Sequence, residues 1–163
     1  MFREMRRKNQ LLSEKDAIAV LENGTSGVLS LLGDGGYPYG VPMSYVYYDN
    51  KIFFHSAKSG HKIDAVKTCD KASFCVIGQD DVVPEKYTTY FRSVIVFGKI
   101  RILTDESELR EAIEKLAIKY HPDDSSANRN EEISKGLSHL CIIELSVEHM
   151  TGKEAIETVK KNS

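Results

Sequence analysis

The run YTTYFRSVIVFGKIRIL over residues 87–103 is the longest β-type stretch in the chain, and it sets the terms for everything around it. Branched and aromatic side chains suit a pleated, half-buried surface, so the run reads as a strand. Gly98 inside it marks a bend or bulge. A strand of this length needs partners. Residues 26–32, 39–48, 51–55, 72–77 and 139–147 carry the same β-type character and bring the predicted total to six.

Turn and helix signals separate these runs. GDGG at residues 33–36 is a strong turn, and Asp49-Asn50 leaves two residues between two strands, which favours a tight hairpin. Pro42 cannot donate to a ladder, so it marks an edge, a bulge or an irregular spot within residues 39–48. Ser13, followed by Asp16, opens an amphipathic helix that stops at Gly24. A short helix starts near His61, with Ile63 and Val66 at helical spacing. Asp105 caps a longer one, with Glu108 as its capping-box partner and Leu109, Ile113, Leu116 and Ala117 on its buried face. Residues 121–130 (HPDDSSANRN) are polar and turn-rich, and a mobile loop is expected there. These helices fall between strands without strict alternation, which favours a mainly β, α+β fold: an antiparallel sheet or barrel rather than a doubly wound one. A barrel also explains how so many short strands avoid bare edges.

A length of 163 residues suits one domain, residues 1–163, with a basic arm at 1–10 and a charged tail at 150–163. Net charge is −2, so no global field favours nucleic acid or an anionic membrane; Arg3, Arg6, Arg7 and Lys8 form the one dense basic patch. No apolar run approaches the roughly 20 residues that span a bilayer, and no apolar stretch follows the first basic residues as in a secretory signal. Cys69, Cys75 and Cys141 are scattered, which argues against a disulfide framework or zinc site and fits a reducing cytoplasm.

FFHSAKSGHK at residues 53–62 leaves a strand and enters a helix. That junction aims free backbone N–H groups and the positive end of a helix dipole at the loop. Ser56 and Ser59 add hydroxyl donors, Lys62 a positive charge and His61 a further donor, which together make a cradle for a terminal phosphate. The plainer reading is a solvated turn with Ser59 as the helix N-cap. The P-loop spacing is missing. Strand alternation lets His55 face an interior or a cleft, as a structural residue or a catalyst. His121, His139 and His149 show no metal-ligand spacing, and no nucleophile elbow occurs. The aromatics in residues 37–48 and 87–97 are core formers that would also wall a flat, conjugated ligand. Flavin mononucleotide (FMN) suits that pairing of phosphate and flat ring better than a dinucleotide, because no G-x-G-x-x-G is present.

The order of a helix, GVLSLLGDGGYPYGVPMSYVYYDNKIFFHSAKSGHKIDAVK, a strand and YFRSVIVFGKIRIL resembles the pyridoxamine 5′-phosphate oxidase-like family of FMN-binding split β-barrels. FHSAKSGHK is most similar to the branch containing the 5-nitroimidazole resistance (Nim) proteins. The resemblance implies a six-stranded split barrel with short flanking helices. It also implies a homodimer with FMN at the subunit interface, its phosphate held at Ser59, His61 and Lys62. Pro42, Met43, Ser44 and Tyr45 become contacts along the ring, with an irregular strand at Pro42 leaving backbone groups free. Arg92 and Ser93 match an Arg-Gln pair, and His55 falls beside the flavin as the catalytic candidate. A vitamin B6 oxidase is disfavoured, since the tail MTGKEAIE lacks the expected tryptophan and arginine and the chain has no Trp. The expected activity is FMN-dependent reduction of a small, flat, electron-poor substrate of the nitroaromatic kind. The competing reading is a flavin or small-ligand binder without turnover, such as a carrier or redox sensor. A nucleic-acid role for the basic arm is disfavoured by the net charge.

Overall fold

The aromatic run over residues 39–48 breaks in the middle. In the computed structural model, which describes residues 1–162, Tyr45 interrupts it and the expected six strands become seven. They are β1 (Ser26–Leu32), β2 (Pro38–Ser44), β3 (Val46–Tyr48), β4 (Lys51–Ala57), β5 (Lys71–Val83), β6 (Thr88–Ile102) and β7 (Leu140–Glu154). The helices are α1 (Glu14–Asn23), α2 (His61–Thr68), α3 (Glu106–Tyr120), α4 (Ser126–Gly136) and α5 (Ile156–Asn162).

All strand pairs are antiparallel and form one sheet in the order β2-β1-β5-β6-β7-β4-β3. β2 and β3, adjacent in sequence, lie at its opposite edges. The sheet therefore curls until one piece of chain supplies both edges, and Tyr45 spans the gap between them. Hydrogen bonding does not close the barrel; covalent continuity bridges it. This is a split β-barrel, and the break at Tyr45 is the split.

Local chemistry explains the joints. Asp49 (φ 51°) and Asn50 (φ 55°) take the left-handed conformations of a two-residue hairpin, pairing Tyr48 with Lys51. Pro42 sits on edge strand β2, opposite Val28, where its missing donor costs no ladder bond. The register slips between Phe97 and Gly98, as the glycine suggested. The Ser13 hydroxyl accepts the Asp16 N–H at 3.1 Å, and Asp105 accepts those of Ser107 and Glu108. Gly24 ends α1 with an ordinary φ of −67°. It is glycine because a Cβ would stand 2.5 Å from the Tyr45 hydroxyl.

Two apolar clusters result. One fills the barrel, with Leu29, Tyr45, Phe54, Phe74, Val96 and Leu145. The other lies under α3 and α4, with Phe53, Ala112, Ile113, Leu116, Ile133 and Ile142. Burying each large side chain contributes about 1.5–3 kcal/mol.

Two further expectations change. The loop predicted over 121–130 is shorter, because Ser125 accepts the Asn128 N–H and caps α4. Strand β7 continues well past Val147, so the tail from 150 begins as sheet and then forms α5; its last residue, Ser163, lies outside the described residues. The basic arm docks at its end: buried Gln10 donates to the Glu154 carbonyl at 3.0 Å.

Candidate functional site

Alternation along β4 sends Phe54 and Ser56 inward, where both are buried, and turns His55 outward, where it is exposed. His55 lines a cavity of about 260 Å³ with Ser44 of β2, Leu140 of β7 and Ile113, Leu116, Ala117 and Tyr120 of α3.

Past β4, Lys58 and Ser59 are exposed and Gly60 adopts φ 122°, in the region that favours glycine. Gly60 is the N-cap of α2 and supplies no side-chain bond, so the N-cap expected at Ser59 is not formed. The first helical bonds run from Ile63 and Asp64 to the Gly60 carbonyl. The N–H groups of His61 and Lys62 precede them and are left over for a ligand or water. Lys62 Nζ lies 3.3 Å from Met43 Sδ, a weak acceptor. Among the described residues no carboxylate pairs with Lys62, Lys58 or Lys67. All three act on Cys141: burial pushes its thiol up, while Lys62, a hydrogen bond with Ser56, Lys58 and Lys67 pull it back.

His61 is differently placed from the sequence expectation. Its ring stacks on Tyr39 at 4.1 Å between centroids, and Nε2 accepts the Asp34 N–H at 3.4 Å. That nitrogen is committed to the β1–β2 turn, and Nδ1 alone remains for an anion.

Tyr45 is likewise withdrawn. Its ring is fully buried edge-on against Phe74, and its hydroxyl donates to the Leu21 carbonyl at 2.7 Å. Burial, then the neighbouring Tyr120, push its ionisation far above the ordinary phenol range. Its backbone, expected to be free for a ligand, is taken by Tyr120. The Tyr45 N–H donates to Tyr120 Oη at 2.9 Å, and the Tyr120 proton faces the carbonyls of Thr25 (2.5 Å) and Tyr45 (3.0 Å). The irregular backbone is real, but it lies at Tyr45 and is satisfied within the protein. Pro42 and Ser44 remain exposed on β2, with Met43 buried between them.

Arg92 and Ser93 are not brought to this junction. Nε and Nη2 of Arg92 bond Glu154 Oε2 at 3.0 and 2.9 Å. Ser93 pairs with Ile77 and Lys153, and Ser44 pairs with Ser26. Extending the Val28–Cys75 register by two residues sets Ser26 opposite Ile77. Ser44 and Ser93 thus share one cross-strand row, three strand spacings or roughly 14 Å apart. The outer face they occupy also exposes Val28, Ile77, Ile95 and Phe97.

Tyr120 and Lys119 carried no sequence signal beyond ending a helix. Lys119 Nζ sits 4.1 Å from the centre of the Tyr45 ring, buried with no hydrogen-bond partner among the described residues, and burial lowers its pKa.

A family model described as pyridoxamine 5′-phosphate oxidase matches residues 13–154. The chain belongs to the pyridoxamine 5′-phosphate oxidase family. No curated protein matches it. Among solved structures that share the family fold is a candidate 5-nitroimidazole antibiotic resistance protein of Bacteroides thetaiotaomicron. It is 20% identical with a TM-score of 0.74, and the match covers 88% of this chain and 86% of that one. A conserved hypothetical protein of Mycobacterium tuberculosis is 14% identical with a TM-score of 0.80, over 93% and 90%. An FAD and heme binding protein of Mycobacterium smegmatis is 17% identical with a TM-score of 0.74, over 96% and 81%. At these identities the likeness carries the fold alone. Within the family fold, the β4–α2 junction and the edge of β2 bring together cations without a carboxylate partner among the described residues, the leading amides of α2 and exposed polar groups.

Proposed function

We propose that this chain is an FMN-dependent oxidoreductase, working as a homodimer in the cytoplasm, that reduces a small, flat, electron-poor substrate of the nitroaromatic class. The observation that carries the reading is Lys62, a cation with no carboxylate partner among the described residues, beside a helix start that has no side-chain cap. Those are the needs of a terminal phosphate. Lys62, Ser59 and the leading amides of α2 bind it, with His61 contributing through Nδ1. A single phosphate cradle without a pyrophosphate motif favours FMN over FAD.

When bound, FMN supplies the electrons for a two-electron reduction. The chain's own part is to hold and orient. Pro42, Met43 and Ser44 form the wall along β2, Ser56 backs the junction, and His55 holds a proton at its exposed imidazole for the reduced substrate. Tyr45 drops out as a ligand contact and acts as core. The apolar outer face of β1, β5 and β6 serves as the dimer surface. Ser93 of one copy then approaches the cofactor of the other, while Arg92 holds Glu154. Three free cysteines suit a reducing compartment, and the net charge of −2 argues against nucleic acid as a partner.

One observation favours binding without turnover: the cavity beside His55 is otherwise walled mainly by aliphatic side chains, with Ser44 and Tyr120 its other polar residues. The visible spectrum of the purified protein incubated with FMN, followed by anaerobic NADH or NADPH and a nitroimidazole, separates the readings. The proposal expects a bound flavin band that bleaches with the nicotinamide and returns with the nitroimidazole. A flavin that binds but never cycles supports the carrier, and absence of flavin binding overturns both.

A further inference from the structure

We infer that Tyr120 is a positioning residue of this site: its hydroxyl stands in for the missing strand pairing at the barrel split and fixes the β2 edge on which the ligand rests. The inference deepens the flavin reading and, where it concerns affinity, rests on it. Ladder pairing of β2 ends at Ser44–Ser26, and that of β3 begins at Val46–Phe53. Tyr45, between them, has no strand partner, yet it is fully buried. A buried amide cannot be left unpaired without cost.

One side chain answers the whole deficit. The Tyr120 hydroxyl accepts the Tyr45 N–H, and its proton lies within reach of the Tyr45 carbonyl and that of Thr25, which immediately precedes β1. It therefore carries the link between β1 and β2 one residue past the last ladder pair, from Thr25 to Tyr45. Ala112, Ile113 and Leu116, buried in the second core, deliver the end of α3 to this place. Lys119 adds a second hold over the Tyr45 ring. The same Tyr120 also walls the cavity that holds Ser44 and His55. A shift of Tyr120 thus moves the split and the cavity wall together.

The test compares Tyr120→Phe with Ile133→Ala, which loosens the same helical layer from α4 without touching the split or the cavity. Backbone amide exchange at Tyr45 and FMN affinity, read from quenching of free flavin fluorescence, are measured on both under folding conditions. Tyr120→Phe should speed exchange at Tyr45 about tenfold and raise the FMN Kd about tenfold, the scale of one lost hydrogen bond to a buried amide. Ile133→Ala should lower the melting temperature and leave both readouts at wild-type values. Unchanged exchange at Tyr45, or equal loss of FMN affinity in the two variants, overturns the inference. If wild-type protein binds no FMN, the flavin reading fails by itself and the exchange comparison still decides Tyr120. If Tyr120→Phe does not fold, exchange in the wild type decides: protection of the Tyr45 amide matching the ladder amide of Phe74 supports the inference, and rapid exchange overturns it.

Discussion

Two groups of cations in this protein have opposite arrangements. Along β6 and β7, Arg92 meets Glu154, Lys99 meets Asp70, and Arg101 meets both Glu144 and Glu108. At the β4–α2 junction, Lys58, Lys62 and Lys67 meet no carboxylate among the described residues. A cation matched to a built-in carboxylate holds the fold together. One left without a partner beside unused amides is available to an anion from outside. The contrast sets paired charge against charge without a carboxylate partner within a single chain, and it can be broken by mutation.

The largest effect is expected at Arg101. Nε and Nη2 bond Glu144, whose side chain is 3% exposed, at 2.9 and 3.0 Å. Arg101→Ala strands that carboxylate with Lys51, 3.5 Å away, and the Ser146 hydroxyl as its remaining partners, and should cost about 3 kcal/mol in urea unfolding. Its pH dependence carries a signature. Burial raises the Glu144 pKa, but hydrogen bonds from Arg101 and Ser146 and the charges of Arg101 and Lys51 outweigh it and leave the carboxyl below its ordinary 4.5. A folded value below the unfolded one stabilises the protein above pH about 4.5, and this contribution is lost as pH falls through the folded value. Without Arg101, burial dominates and the folded value rises. The gap between wild type and Arg101→Ala should therefore narrow as pH falls below about 4; a constant gap would refute the assignment.

Lys62→Ala sharpens the other half. It should leave unfolding nearly unchanged while raising the FMN Kd tenfold to about a hundredfold, the range of one charge-assisted hydrogen bond. Loss of stability without loss of flavin affinity would place Lys62 with the structural cations. The smallest effect is expected at Lys99. Its pair with Asp70 is short at 2.6 Å but solvent-exposed, and Lys99→Ala should change stability by less than about 0.5 kcal/mol.

Much of the fold was readable because local chemistry was unambiguous. Asp49-Asn50 could hardly be other than a hairpin turn, Asp105 had its helix ahead of it, and Gly98 marked the slip in β6. Pro42 marked an edge, a bulge or an irregular spot, and the edge is what the fold forms. The break at Tyr45 was not readable, since a run of Val and Tyr offers no sign that one residue must cross from one edge of a sheet to the other. Nor was Tyr120, whose partners Thr25 and Tyr45 are distant in sequence. Residues 126–136 hid a helix because their polar side chains give little apolar periodicity, although Ser125 was a cap in plain view. At the site, the sequence signalled the strand-to-helix junction between β4 and α2, with Lys62 in the first turn, but not the contacts that its neighbours make. Stacking on Tyr39 diverts His61, and the core claims Tyr45; both depend on contacts that only the folded chain creates.

The central claim, that the β4–α2 junction is a phosphate cradle for a flavin, meets its most direct test in parallel titrations with FMN and riboflavin, which differ by the phosphate alone. FMN should bind at least about tenfold more tightly, and Lys62→Ala should erase most of the difference. Equal affinities for the two flavins in the wild type would contradict the account.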